Sequence, residues 1–205
     1  MKSFRNITAF VFLLCAYHTG CTDHVLTDPG EPAVNVPTVT VASTDTALHL
    51  NNGVWFYGSQ PFSGTIEIKF LNERIRSHQQ FLRGREEGRM EAWYEDGSKE
   101  ALRFYHEGEK VGVHTGWWPN GHLRYAYHFS NGSYEGDFRE WYASGKPLKH
   151  LIYHNGKEES GKGWRENGKP YMSFVVKDGR LYGLVNPNLC YSLKNEKGEF
   201  RNSAQ

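Results

Sequence analysis

Gly88-Arg-Met-Glu-Ala-Trp93-Tyr-Glu-Asp-Gly97 is echoed 24 residues later by Gly112-Val-His-Thr-Gly-Trp117-Trp-Pro-Asn-Gly121. A third copy follows after another 24 residues, Gly136-Asp-Phe-Arg-Glu-Trp141-Tyr-Ala-Ser-Gly145. Gly161-Lys-Gly-Trp164-Arg-Glu-Asn-Gly168 is a shortened fourth. Further columns keep the same period. Gly84, Gly108, Gly132 and Gly156 form one, and Tyr57, Phe81, Tyr105, Phe129 and Tyr153 form another, ending at Val176. A fixed period of this size marks a chain built from one structural unit repeated. The intervals Gly145 to Gly168 and Gly156 to Gly179 are both 23, so a single deletion accounts for both.

Each unit carries two turn signals. Asp96-Gly97, Asn120-Gly121, Ser144-Gly145 and Asn167-Gly168 form one set; Glu107-Gly108, Asn131-Gly132, Asn155-Gly156 and Asp178-Gly179 form the other. Asn-Gly and Asp-Gly accept positive φ at little cost, which tight hairpins require. Between turns, Leu123, Tyr125, Tyr127 and Phe129 alternate with polar or small residues, a two-residue strand period. The unit is therefore a β-hairpin, with units starting near Gly64, Gly88, Gly112, Gly136 and Gly161. Stacking them predicts an all-β fold: an elongated antiparallel meander of about ten to twelve strands, roughly 50 Å long at the usual strand spacing. A half-unit over 54–63 precedes the first. The array spans 51–182, and residues 183–205 break the pattern and are expected to cap the last edge.

Composition agrees. Aromatic residues make up 15% of the 205-residue chain and glycine 22 positions, while hydrophobic residues reach only 38%. That balance disfavours a helical bundle, which would be rich in Ala and Leu. It also disfavours disorder, which is poor in aromatics. Formal charge is +1. Without Lys2 and Arg5 the basic and acidic residues nearly cancel, whereas nucleic-acid binders carry a basic surplus. No nucleic acid is expected as a partner.

Residues 1–20 read as an export signal. Lys2 and Arg5 precede Ala9–Ala16, an apolar run too short to span a bilayer. Thr19 and Gly20 then precede Cys21. This resembles a bacterial lipoprotein signal, which implies that Cys21 is the lipidated first mature residue and the anchor to a membrane. The aliphatic position of that signal holds His18. Residues 21–50 contain Pro29, Pro32 and Pro37, show no helical period, and read as a Pro- and Thr-rich tether. Val36–Val41 offer an alternative, an arm packed on the domain. With Cys15 removed and Cys21 lipidated, Cys190 has no partner for a disulfide.

The unit G-x4-W-[YW]-x2-G resembles the MORN-variant repeat that fills the YwqK-type antitoxin family. The resemblance covers about residues 54–182. It implies a sheet of stacked hairpins, and the family name implies neutralisation of a toxin. Repeat arrays host many roles, so fold alone does not assign one.

Two rows of side chains are candidates for function. Trp93, Trp117, Trp141 and Trp164 are expected to form a structural aromatic ladder in the core, since large rings pack across strands. Tyr94, Trp118 and Tyr142 point to the opposite face by alternation and are the candidate binding surface, with Arg165 closing the row. No histidine recurs at 24, and His150 with His154 would lie roughly 13 Å apart along a strand, so no metal and no cofactor are expected. The chain contains no nucleophile elbow, HExxH, P-loop or dinucleotide fingerprint. Glu91, Glu95, Asp96, Glu135 and Asp137 read as solvated turn residues, because a glycosidase needs two carboxylates set in a cleft. The expected function is thus non-catalytic: a lipid-anchored binding or scaffold module of the bacterial cell envelope, with a protein or glycan partner. The alternatives are an antitoxin or immunity protein, and an envelope enzyme or metal-handling factor.

Overall fold

The structure, a computed structural model, describes residues 35–184. The expected export signal at 1–20, Cys21 and Cys190 lie outside those residues. The described chain is all β. Its strands are β1 (Thr40–Ala42), β2 (Leu48–Asn51), β3 (Val54–Tyr57), β4 (Gln60–Pro61), β5 (Gly64–Lys69), β6 (Ile75–Leu82), β7 (Arg85–Trp93) and β8 (Lys99–His106), followed by β9 (Glu109–Trp117), β10 (Leu123–Ser130), β11 (Ser133–Trp141), β12 (Pro147–His154), β13 (Lys157–Trp164), β14 (Pro170–Lys177) and β15 (Arg180–Leu184). Twelve strands form one sheet in the order β1-β5-β6 and onward to β15. From β5 to β15 every neighbour is antiparallel and consecutive in sequence. This is the meander that the period predicts.

The two long edges of the sheet use different turns. At one edge Arg83-Gly84, Glu107-Gly108, Asn131-Gly132, Asn155-Gly156 and Asp178-Gly179 all hold φ between 46° and 88°. Positive φ at both central residues is the type I′ geometry, whose twist matches that of the flanking strands. At the other edge the loops are longer. The amide of Tyr94 donates to the carbonyl of Ser98, while Gly97 donates back to Tyr94. Trp118 with Gly121, Tyr142 with Gly145 and Arg165 with Gly168 repeat that pair of bonds. Each glycine there has φ of 80° to 90°, closing a three-residue loop.

Inside the hairpins, one glycine per unit makes a bulge. Gly88, Gly112 and Gly136 have φ of 69°, 64° and 77°, and the register shifts beside each. The deletion falls here. In the last unit Ile152 pairs with Ser160 and Tyr153 with Glu158, leaving Glu159 alone in a shortened bulge. Gly161 therefore does not start the unit, as its spacing suggested. It pairs with Phe174 as Phe138 pairs with Leu151, so it occupies the Phe138 column.

The N-terminal end departs from the expected meander. The half-unit pairs not with β5 but with β2 and β4, making a separate three-stranded sheet. The edge of β5 is taken by β1, which runs parallel to it. The carbonyl of Val39 lies where a Cβ on Gly64 would stand, so this approach requires glycine. Residues 40–50 of the expected tether thus belong to the fold, and Val41 is buried. What holds it there is the burial of Val41 against Leu48, Phe62, Ile66 and Phe81. Of the expected cap only 183–184 are described, and they end β15.

Two apolar clusters hold the sheet. One joins Val41, Leu48, Phe62, Ile66 and Phe81, with Trp55 packed against it. The other joins Phe138, Leu151, Met172 and Phe174, flanked by Tyr127, Tyr134 and Tyr153. Rings dominate the second: Tyr127 stacks on Phe138 at 4.0 Å, and Tyr134 packs edge-on against the same ring at 5.2 Å. Among the described residues no large side chain is more than 98% enclosed, as a single-layer sheet would predict.

Candidate functional site

The two candidate rows prove to differ in what their polar atoms do. The Tyr94 hydroxyl donates to the carbonyl of Trp117 at 2.7 Å. The Trp118 indole nitrogen donates to the carbonyl of Trp141 at 3.0 Å, and the Tyr142 hydroxyl to that of Trp164 at 3.0 Å. Each member of this row therefore reaches the next unit and ties it on. All three are half-buried. The Arg124 guanidinium also lies 4.7 Å over the Trp118 ring. As side chains these are interunit ties.

The Trp93, Trp117, Trp141 and Trp164 row is also half-buried, but it does not carry the core. Phe138 and Glu140 share one face of β11 by alternation, and Trp141 points to the other. Trp93 packs edge-on against His78 at 5.4 Å, and His78 points away from buried Ser77 and Phe81. The large apolar clusters sit on the face of Phe81, Phe138 and Leu151. The ladder expected as core is thus a separate row on the opposite face. Among the described residues no hydrogen bond reaches the indole nitrogens of these four Trp, and none of those nitrogens is sealed from solvent. They are uncommitted donors about two strand spacings apart, or roughly 9.6 Å.

A second interunit device was invisible in the sequence columns. In three units the residue before Gly64, Gly88 or Gly136 grips the next type I′ turn. Ser63 Oγ accepts from the amide of Arg83 at 2.9 Å, Glu87 Oε2 from Glu107 at 2.9 Å, and Glu135 Oε2 from Asn155 at 2.7 Å. The other carboxylate oxygen of Glu87 meets His106 Nδ1 at 3.0 Å, and that of Glu135 meets His154 Nδ1 at 2.8 Å. His106 and His154 lie 48 residues apart, two units. A search at one period misses them because Val111 and Ser130 fill the intervening unit.

The five acidic residues singled out near the turns are all engaged. Glu91 pairs with Arg89 at 3.4 Å, and Glu95 accepts from Asn72 at 3.0 Å. Asp96 accepts from Ser98, and those hydrogen bonds hold its carboxyl below the usual range. Asp137 takes His150 at 2.6 Å and Arg139 at 2.9 Å. On the core face the Tyr127 hydroxyl donates to Glu140 at 2.6 Å, and burial followed by that carboxylate raises its pKa. Among the described residues no group of three His, Cys, Asp or Glu side chains converges as a bound metal would need. An open groove of about 550 Å³ lies between β1 and β4, with Asp45 and Tyr57 as its titratable groups.

Compared with known protein families and with curated protein sequences, the chain finds no match in either.

Proposed function

We propose that this chain is a non-catalytic binding module of the bacterial cell envelope, exported and anchored through Cys21, and built of MORN-variant repeats. Its contact face is the row Trp93, Trp117, Trp141 and Trp164. The observation that carries this choice is the contrast between the two rows. Tyr94, Trp118 and Tyr142 spend their polar atoms on neighbouring units, whereas the four indole N–H groups of the other row are uncommitted among the described residues. Trp is enriched at binding hot spots because it offers a large rigid ring with one donor. A protein or glycan partner would stack on the rings and accept from the N–H groups.

The test separates surface from fold. Changing Trp117 and Trp141 together to Phe keeps aromatic bulk and removes two donors. Partner recovery by crosslinking from intact envelopes should fall at least tenfold, with the circular dichroism of the purified chain unchanged. Equal recovery would refute the contact face. Palmitate labelling that survives Cys21→Ala would refute the anchor.

A further inference from the structure

The position occupied by Ile66, Met90 and Phe138 in other units holds His114 in the third. It is apolar in those three, buried at Ile66 and Phe138 and half-buried at Met90, and ionisable here. His114 is 3% exposed. Its ring lies 4.5 Å from Phe129 on β10 and 5.4 Å from Tyr105 on β8, wedged between strands on both sides. Its Nε2 lies 2.8 Å from the carbonyl of Phe104, so the neutral ring donates there.

The charged and titratable groups around it give a proton no welcome. From β8 come Arg103, which bonds the Tyr125 hydroxyl at 3.3 Å, and Tyr105. From β9 itself comes Lys110. From β10 comes Tyr127, paired with His114 in register, whose hydroxyl is already given to Glu140. Among the described residues no carboxylate pairs with the ring. Burial, opposed by the backbone of Phe104 and Val111 and reinforced by Arg103 and Lys110, lowers its pKa to about 4.

Its place in the array matters as much. One apolar cluster gathers residues of the N-terminal end, from Val41 to Phe81, and the other gathers residues from Tyr127 to Val176. His114 and Phe129 are buried but belong to neither cluster. Across this middle stretch the same face carries small residues: Ala92, Ala101 and Gly116. In a stacked array each unit contacts only its neighbours, so weakness in one joint stays local.

We propose that His114 is an acid-released joint: its protonation drives the imidazole out from between Tyr105 and Phe129 and unpairs β8, β9 and β10 locally, while the hairpins on either side stay folded. The sign follows from linkage. The open state takes a proton near the ordinary histidine value and the closed state only far below it, so the closed joint is favoured above that value and loses ground as pH falls. The opening equilibrium should rise about tenfold per pH unit across this window. The His154–Glu135 pair does not mimic this loss, since a histidine raised above 6.5 keeps its full stabilisation below that value.

Hydrogen exchange of the full chain at pH 7, 6, 5 and 4, corrected for intrinsic rates, tests this. Protection at Leu102–Phe104, Gly112–Thr115 and Tyr127–Phe129 should drop about tenfold per unit between pH 6 and 4, with β5–β6 and β12–β14 holding. His114→Phe, the residue used at 138, should abolish that local pH dependence. If it does not fold, His114→Met, the residue used at 90, replaces it. A wild-type profile that is flat, uniform along the sheet, or first lost elsewhere overturns the proposal whatever the variants do. So does a folded variant that opens like wild type.

Discussion

The hydroxyl of Tyr94 donates to the main-chain carbonyl of Trp117, 23 residues ahead, and this single bond bridges two consecutive hairpins at their longer-loop edge. Trp118 to Trp141 repeats it, and Tyr142 to Trp164 repeats it again. At the opposite edge the amides of four of the five turn glycines donate to the previous unit: Gly84 to Phe62, Gly108 to Glu86, Gly132 to Lys110 and Gly156 to Tyr134, at 2.6–3.0 Å. The hairpins are thus tied at both ends as well as along their strands.

The ties give the first prediction. Tyr94→Phe and Tyr142→Phe each delete one hydroxyl and leave a half-buried carbonyl unpaired. Each should lower stability by about 1 kcal/mol, read from the urea midpoint at constant slope. The pair lies two units apart, so the losses should add. No change in either variant would mean that the hydroxyls are satisfied equally well by water. Replacing Tyr94, Trp118 and Tyr142 together by Ser should destabilise the sheet, so that triple variant cannot separate binding from folding.

Glu73 stands at the loop position that Gly97, Gly121, Gly145 and Gly168 fill in later units, and its φ is 64°. A side chain in that region is strained by about 1 kcal/mol or more. The ion pair of Glu73 with Lys69, at 3.6 Å and largely exposed, contributes little in return. Glu73→Gly should therefore stabilise the chain by about 1 kcal/mol in urea unfolding, after allowing for the added freedom of the unfolded chain. Destabilisation would show that the first loop relies on the side chain.

The Glu135–His154 grip on the Asn155 turn predicts a pH window. The Asn155 amide, then His154, hold the Glu135 carboxyl below its ordinary value of 4.5. Glu135 in turn raises His154 above 6.5. The carboxylate's share is present above 4.5 and is lost as pH falls through the depressed value. The histidine's share is complete below 6.5 and is lost as pH rises through the raised value. Subtracting the urea midpoint of Glu135→Gln from that of wild type should give a maximum between those two values. A difference that grows steadily to pH 8 would contradict this assignment.

Gly116 lies under the ring of Tyr125, and Gly163 under the ring of Tyr171. A methyl group at either place would overlap the ring, so each glycine makes room for a tyrosine. Gly116→Ala should cost about 1–3 kcal/mol by forcing the ring from its place. Pairing it with Tyr125→Ala should recover part of that loss, a coupling that a double-mutant cycle would measure. Additive losses would mean that the glycine serves the backbone instead.

The spacing of glycines and Trp residues made the hairpins, both turn sets and the meander legible, because turn chemistry is local and φ > 0 demands particular residues. Three things were not legible. Residues 40–42 are too few to carry a clear period, and their parallel pairing rests on long-range bonds, Thr65 N–H to Val39 and Ser43 N–H to Glu67. The core face was assigned to the Trp row because Trp is large. Alternation along β11 puts the Trp141 ring on the face opposite Phe138, three residues before it. Gly161 looked like a unit start because it lies near the expected spacing, whereas the deletion had moved it into the Phe138 column. Ring size and residue spacing do not by themselves report which face of the sheet is covered.

Under the proposed function, the Trp93–Trp164 face meets a partner in the envelope. Arg139 lies on that face of β11, beside Trp141 by alternation, and is exposed. Site-specific photo-crosslinking in intact cells, with the photoreactive residue at 139 in the full chain, tests the claim most directly. A discrete adduct that disappears when Trp117 and Trp141 are both Phe is the predicted result. No adduct, or an adduct indifferent to those two substitutions, would contradict it.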